Sequence, residues 1–265
     1  TMGVLPATLD FRMPYTESLF ILFIILLLSG MQREWPNWTL AIVVGAATGT
    51  RPVGVVLIVP LFVHIVLTSK SRWQLIREAV MVIPASAWGI GGFMCYQWWA
   101  FNEPFAFAKV QAFWATPGVG PENLIEKLVG LGSFEPLRMV YDDTCPCYWA
   151  AVPPANNMVF NLSFANPIAF GLVSFVIVVG AYTGVLSTRE WILSVALLAF
   201  PYIMHSDRTC MMAEMRYTSV VFPVYVIAGQ ALARLPPGVV GALAGISASF
   251  LFAYSSLFVC WYWYY

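Results

Sequence analysis

The sequence predicts an all-α protein, a polytopic bundle of transmembrane helices with one interfacial loop on its outer face. Of its 265 residues, 60% are hydrophobic and only 10% are charged, whereas ordinary soluble domains carry about 25% charged residues. The mean hydropathy is +0.77. Several apolar runs approach the length of about 20 residues that a helix needs to cross a bilayer core. The charges are too few to coat a soluble globule, so we expect lipid to cover most of the surface.

Eight membrane segments are predicted within one transmembrane domain over residues 1–265. They lie at approximately 15–31, 37–50, 52–68, 78–101, 163–186, 190–204, 217–234 and 238–261. The second and third are short, and Thr50-Arg51-Pro52 lies between them. Because proline interrupts a helix, the stretch 37–68 is predicted to be a tight helical hairpin rather than one long helix.

The basic residues predict the orientation of the bundle. If the segments alternate, one side receives six basic residues, namely Arg33, Lys70, Arg72, Arg77, Arg189 and Arg234, against three acids. The chain has 13 basic and 13 acidic residues, so the other side holds 13 − 6 = 7 basic residues and 13 − 3 = 10 acids. The charges are then +3 and −3, and the positive-inside rule places the first side in the cytoplasm. Most other polar residues fall on the opposite, outer face, where we expect the function to be.

Several classes of partner are excluded or disfavoured. The net charge is zero and there is no run of Lys or Arg, so we expect no nucleic-acid partner. The five cysteines lack the spacing of a zinc site, and we expect no metal bound by them. No signal peptide is recognisable at the start, and the chain reads as a fragment of a longer protein.

The longest connection, residues 102–162, is predicted to be an ordered outer-face loop, since it is too rich in Trp, Phe and Pro for a disordered linker. Within it, residues 123–129 (NLIEKLV) combine apolar and charged positions at helical spacing. This pattern predicts an amphipathic helix lying at the membrane surface.

The first candidate site residue is Glu17, in the stretch PYTESLF at 14–20. One interpretation is that Glu17 complements the dipole of an apolar helix whose N-terminus is wetted. The alternative is that Glu17 faces a polar cavity, where it positions a substrate hydroxyl or pairs with Arg51. Tyr15 and Ser18 belong to the same stretch and are further candidates for substrate binding.

The second candidate is Arg51, in TRPVG at 50–54, the outer tip of the predicted hairpin. A guanidinium group is a permanently charged fork of donors that suits phosphate, and Gly54 allows close backbone approach. The alternative is that Arg51 only snorkels, or bonds carbonyl groups left unpaired by Pro52.

Two more groups of polar residues fall on the outer face. Where the fourth segment leaves the membrane, amide and carboxylate groups stand among aromatic rings, an arrangement that suits sugars but is also found in ordinary interfacial belts. Its candidates are Asn102, Glu103, Gln111 and Trp114. The second group consists of Glu214, Arg216 and Tyr217. His205 and Asp207 precede it and could act as a base and its orienter, but their spacing is not diagnostic, and the favoured interpretation is a solvated loop.

Taken in order, PYTESLF at 14–20, TRPVG at 50–54, NEP at 102–104, RY at 216–217 and FP at 222–223 resemble the motifs of the PIG-V-like mannosyltransferases. These are GT-C type membrane enzymes, and eukaryotic members add the second mannose of the glycosylphosphatidylinositol anchor. The resemblance covers about residues 5–235. It implies transfer of mannose from a polyprenyl-phosphate or dolichyl-phosphate donor to a glycan or glycolipid acceptor on the periplasmic or lumenal face.

The resemblance also implies a bacterial inner-membrane protein, with the endoplasmic reticulum membrane as the alternative. No cofactor is implied beyond the lipid-linked donor, and the need for a divalent ion stays open. The family carries its catalytic acid in an early Trp-Asp motif, which this chain lacks. The catalytic acid is therefore expected upstream of this chain, and no catalytic residue is assigned. Two rival hypotheses are a transporter or flippase of a lipid-linked substrate and a non-catalytic lipid-binding subunit.

Overall fold

The computed structural model describes residues 16–116, 118–151, 158 and 161–259. Throughout these ranges the regular structure is helical, and no strand occurs in them. The helices are α1 Glu17–Gln32, α2 Asn37–Thr50, α3 Ile58–Thr68, α4 Arg72–Ala85, α5 Trp88–Phe101, α6 Ala106–Val110, α7 Leu124–Gly132, α8 Glu135–Met139, α9 Leu162–Tyr182, α10 Thr188–Pro201, α11 Glu214–Ser219, α12 Phe222–Leu232 and α13 Pro237–Val259.

Three helical stretches are long and apolar enough to cross a membrane: Arg72–Phe101, which joins α4 and α5, then Leu162–Tyr182 and Pro237–Leu257. Only 17%, 22% and 11% of their most apolar windows are buried within the protein. Their outward faces therefore carry large apolar side chains that need lipid to cover them. The chain is therefore a helical membrane protein. The other five predicted segments coincide with shorter helices, so eight membrane crossings are not confirmed.

A hairpin forms where it was predicted, between α2 and α3. Arg51 is extended, with φ −150° and ψ 139°, as expected for a residue that precedes proline. A short 3₁₀ helix, Pro52–Leu57, then leads back into α3. A Cβ atom on Gly54 would lie 2.5 Å from the carbonyl oxygen of Ala47. The two arms can approach this closely only because residue 54 has no side chain.

The core lies between α1, the hairpin and α10. Aliphatic and aromatic side chains from these elements are fully or almost fully buried, among them Phe20, Ile24, Leu27, Leu40, Leu57, Leu61, Leu193 and Leu197. In α1 the buried positions recur at intervals of three and four residues, which is the stripe expected of a helix packed on one side. This packing holds the N-terminal end of α1 beside the hairpin tip.

The outer loop contains the predicted amphipathic helix. α7 begins at Leu124, and the side chain of Asn123 caps it by accepting a hydrogen bond of 2.9 Å from the backbone N–H of Glu126. One face of α7 exposes Leu124, Ile125, Leu128 and Val129, as an interfacial helix would.

The outer loop is tied to the segment 202–213, which follows α10. A disulfide joins Cys147 to Cys210, the Tyr202 hydroxyl donates to the carbonyl of Leu131 at 2.9 Å, and the backbone N–H of Thr116 donates to the carbonyl of Arg208 at 2.8 Å. The loop therefore packs on protein as well as facing outward. A disulfide also agrees with the predicted outer orientation, since disulfides persist in oxidising compartments.

Candidate functional site

Three elements bring charged side chains together at the predicted outer end of the bundle. Glu17, in the first turn of α1, is fully buried. Its Oε1 atom lies 2.8 Å from Nη1 of Arg51 and accepts a hydrogen bond from Nε of Arg216. The guanidinium carbon of Arg51 lies 5.8 Å from the centre of the Tyr217 ring. We call these four residues the Glu17 cluster.

Glu17 is buried and paired rather than wetted. Thr16, the residue before α1, makes no capping hydrogen bond with its side chain, and Glu17 pairs with Arg51 as one interpretation predicted. The other carboxylate oxygen, Oε2, is buried and has no hydrogen-bond partner among the described residues. Glu17 therefore holds two guanidinium groups through one oxygen and has a second acceptor oxygen for a hydroxyl donor.

Arg216 and Tyr217 reach the cluster because α11 is anchored on both sides. The backbone N–H of Met215 donates to Oδ1 of Asn166 in α9 at 2.9 Å. Before α11, Cys210, Met211 and Ala213 have φ of 54°, 55° and 62°. Residues other than glycine seldom adopt this left-handed conformation, and it is often found near functional sites. The disulfide at Cys210 and the complete burial of Met211 hold the strained segment in place.

A line of contacts leads from the cluster into the outer loop. The rings of Tyr217 and His205 lie edge to face, with centroids 5.0 Å apart, and His205 lies in a π-helical turn, Tyr202–Ser206. The pKa of His205 is lowered, mainly because its imidazole ring is buried. Asp207 is buried and forms an ion pair of 3.3 Å with Lys127 of α7. The sequence favoured a solvated loop here, and that interpretation is wrong for Asp207.

Glu214 supplies a different kind of carboxyl group at the same end. It is fully buried, and neither of its side-chain oxygens has a hydrogen-bond partner among the described residues. Burial raises the pKa of Glu214 to about 8, since a charged carboxylate is poorly solvated there. At neutral pH the group is mainly protonated. It can then donate a hydrogen bond, or exchange a proton near neutrality, which is a property of general acids and bases.

The charges of the site favour an anion. Among the residues that the structure describes there, Arg51 and Arg216 contribute two positive charges and Glu17 one negative charge, which leaves +1 on the cluster. Because Glu214 is mainly neutral at pH 7, it does not cancel this excess. Guanidinium groups and a protonated carboxyl group are donors that suit a phosphate, and the aromatic ring of Tyr217 offers a face for a sugar or a cation.

Not all predicted residues join this site. Asn102 ends α5 in a left-handed conformation with φ 53° and is exposed, and Glu103 pairs with Lys109. Gln111 and Trp114 are also exposed. Within the described ranges, none of these four has a hydrogen bond, ion pair or ring contact with the Glu17 cluster.

Ser18 and Tyr15 are the other two candidates of the first motif. Ser18 follows Glu17 in α1 and its side chain is exposed. Tyr15 lies outside the described residues.

Comparisons with known proteins gave no relative. No family model, no curated protein and no solved structure matches the chain.

Sequence reasoning missed three features of the site. They are the contact of Arg216 with Glu17, the ion pair between Asp207 and Lys127, and the disulfide between Cys147 and Cys210. Each joins parts of the chain that lie far apart, and no local pattern marks such pairs. The only available signal was that all six residues fall on the predicted outer face.

Proposed function

We propose that the protein is part of a GT-C type mannosyltransferase that takes mannose from a polyprenyl-phosphate or dolichyl-phosphate carrier. The acceptor is a hydroxyl group of a lipid-linked or free glycan on the periplasmic or lumenal face. The observation that carries the proposal is the Glu17 cluster, in which Arg51 and Arg216 converge on one buried carboxylate. The motif resemblance marks this same set of residues, Glu17, Arg51, Arg216 and Tyr217.

The proposal places the donor phosphate against the two arginines. A lipid phosphate that approaches from the bilayer meets Arg51 at the hairpin tip, beside apolar helices that suit its hydrocarbon chain. Buried guanidinium groups interact more strongly with an anion than exposed ones, since less water screens them. Glu17 keeps the two cations close together before the donor arrives, so that little reorganisation is needed on binding.

The reaction is an inverting displacement at the anomeric carbon. The acceptor oxygen forms a bond to that carbon, the bond from the carbon to the phosphate oxygen breaks, and the phosphate leaves with the electron pair. A carboxylate takes the acceptor proton, and no residue of this sequence is assigned to that role. Arg51 and Arg216 stabilise the charge that grows on the leaving phosphate. Glu214 can hydrogen-bond a sugar hydroxyl or a phosphate oxygen in its neutral form.

The remaining details of the proposal come from the predicted topology and from the motif resemblance. All eight segments cross the membrane, the Glu17 cluster lies at the outer side, and the membrane is the bacterial inner membrane, with the endoplasmic reticulum as the alternative. Tyr15, Ser18, Asn102, Glu103, Gln111 and Trp114 complete the proposed binding surface for the two substrates. In this proposal Asn102, Glu103, Gln111 and Trp114 contact the acceptor away from the Glu17 cluster.

The test is transfer of radiolabelled mannose from polyprenyl-phosphate mannose in membranes that carry the full-length gene product. We expect Arg51→Ala to reduce transfer by on the order of a hundredfold or more, since removing one donor to a developing charge commonly has this effect. Arg33→Ala is the matched control, because Arg33 follows α1 at its opposite end and should leave transfer unchanged.

A transporter would give a different outcome. If the intact protein transfers no mannose to any acceptor but moves a lipid-linked sugar across proteoliposome membranes, the flippase hypothesis replaces the transferase. Retention of lipid without transfer or transport would instead indicate a lipid-binding subunit.

A further inference from the structure

A polar cavity lies at the end of the bundle opposite the Glu17 cluster. It has a volume of about 870 Å³ and is bordered by the loop after α1, by α3, by α4 and by the start of α10. Arg189, one of its lining residues, donates from Nη1 to the carbonyl of Met31 at 2.9 Å. Met31 is 14 residues along α1 from Glu17, which corresponds to about 21 Å of helix. This inner cavity is therefore separate from the Glu17 cluster.

The inner cavity carries excess positive charge. Lys70, Arg77 and Arg189 line it, together with the carboxylates Glu34 and Glu78, so three cations face two anions and the sum is +1. None of the three cations forms an ion pair with an acid among the described residues.

Glu78, one of the two acids that line the cavity, is already bonded to neutral groups. The carboxylate of Glu78 accepts a hydrogen bond of 3.0 Å from the side-chain amide of Gln74 and another from the side-chain amide of Asn37. Amides, rather than the arginines, thus satisfy Glu78. The guanidinium group of Arg77 and the N–H donors of Arg189 other than the one bonded to Met31 are available to an anion from outside the protein.

A buried histidine points to the same conclusion independently. His64 of α3 is 2% exposed, lines the inner cavity, and has an Nδ1 atom with no hydrogen-bond partner among the described residues. Buried polar atoms are normally paired. The Nδ1 atom of His64 therefore lies without a partner from the described part of the protein, beside a polar cavity that three cations line. An oxyanion in the cavity would satisfy both the imidazole nitrogen and the cations.

We propose that the inner cavity binds a phosphate ester, and that the ester is the headgroup of an anionic phospholipid of the cytoplasmic leaflet. Basic pockets between transmembrane helices on the cytoplasmic side commonly hold such headgroups. Trp35 and Trp38 also line the cavity, and tryptophan prefers the depth at which headgroups lie. A soluble phosphate ester has the same recognition chemistry, and the experiment separates the two sources.

The experiment is calorimetric titration of the purified full-length protein in an uncharged detergent. The ligands are dihexanoyl phosphatidylglycerol, dihexanoyl phosphatidylcholine and glycerol phosphate. The test variant is Arg77→Ala, an exposed side chain whose loss should not disturb folding, and Lys70→Ala is a second variant of the same kind. Arg72→Ala is the matched control, since Arg72 begins the same helix but does not line the cavity.

We expect saturable binding of phosphatidylglycerol, and an increase in Kd of about tenfold for Arg77→Ala, as for the loss of one charge-assisted hydrogen bond. Arg72→Ala should change Kd by less than about twofold, since screened surface charges contribute little. If glycerol phosphate binds as tightly as phosphatidylglycerol, the inner cavity binds phosphate esters in general, and the assignment to a lipid headgroup is wrong. The proposal is wrong if phosphatidylcholine binds equally well, if the two arginine variants lose affinity alike, or if no ligand saturates.

Discussion

Replacing Glu17 by Gln should cost the protein more stability than any replacement of an exposed acid. Glu17 is fully buried, while the side chains of Arg51 and Arg216 are 10% and 24% exposed. Gln keeps the size of the side chain but removes its charge. The cluster then changes from +1 to +2, and both guanidinium groups lose the buried carboxylate charge that they contact.

The magnitude follows from the burial. Removing one partner of a buried ion pair costs about 3–5 kcal/mol, because the remaining charge is left uncompensated. For a chain of this size one kcal/mol corresponds to roughly 2–4 °C in Tm, so the expected loss is on the order of 10 °C. The measurement is thermal unfolding of the purified protein in a fixed detergent.

A matched control and a double variant make this prediction specific. Glu103→Gln removes an acid whose ion pair with Lys109 is exposed, and should leave Tm nearly unchanged. Adding Arg216→Gln to Glu17→Gln restores the charge of the cluster to +1, so the double variant should be more stable than the sum of the two single losses predicts. Strictly additive losses, or equal Tm for Glu17→Gln and Glu103→Gln, would refute the reasoning.

Three further predictions concern the disulfide, the glycine at the hairpin tip and the buried carboxyl group of Glu214. Cys147→Ser should lower the free energy of unfolding by about 2–4 kcal/mol, because the unfolded chain gains freedom when the disulfide is lost. Unfolding in denaturant measures this loss, and Cys95→Ser, which removes a free thiol, should show no such loss. Gly54→Ala should lower Tm because its Cβ would meet backbone, whereas Gly92→Ala adds a methyl group in open space and should lower Tm little or not at all. The raised pKa of Glu214, about 8, means that the folded protein binds more protons than the unfolded chain above about pH 4.5. The contribution of Glu214 to stability is then complete at low pH and is lost as pH rises toward 8. Over that range the Tm of Glu214→Gln should therefore fall less than the Tm of the wild type. Equal changes of Tm with pH in the two proteins would contradict the raised pKa of Glu214.

Local features of the fold could be predicted from the sequence because each has a local physical cause. Pro52 forces the chain out of the helix and makes Arg51 extended, which places the hairpin tip. Asn123 and the apolar spacing after it specify α7. The three longest spans follow from the length of their apolar runs.

The site could be predicted only in part. The pairing of Glu17 with Arg51 was foreseeable because the ends of two neighbouring segments must meet at the same side of a bundle. Arg216 lies 199 residues from Glu17, and no periodicity shows which helix ends are neighbours across such a distance. The burial of Asp207 was missed for the same reason, since it depends on Lys127 and the packing of the outer loop. Disulfide connectivity likewise cannot be read from cysteine spacing alone.

If the Glu17 cluster binds the phosphate of a lipid-linked donor, as we propose, the protein must distinguish a lipid phosphate from the corresponding alcohol. The most direct measurement compares the affinity of the purified full-length protein for a polyprenyl phosphate with its affinity for the matching polyprenol, which has the same chain and no phosphate. We expect the phosphate to bind at least about tenfold more tightly, with this preference lost in Arg51→Ala and kept in Arg33→Ala. Equal affinity for phosphate and alcohol, or a preference that survives Arg51→Ala, would contradict the account.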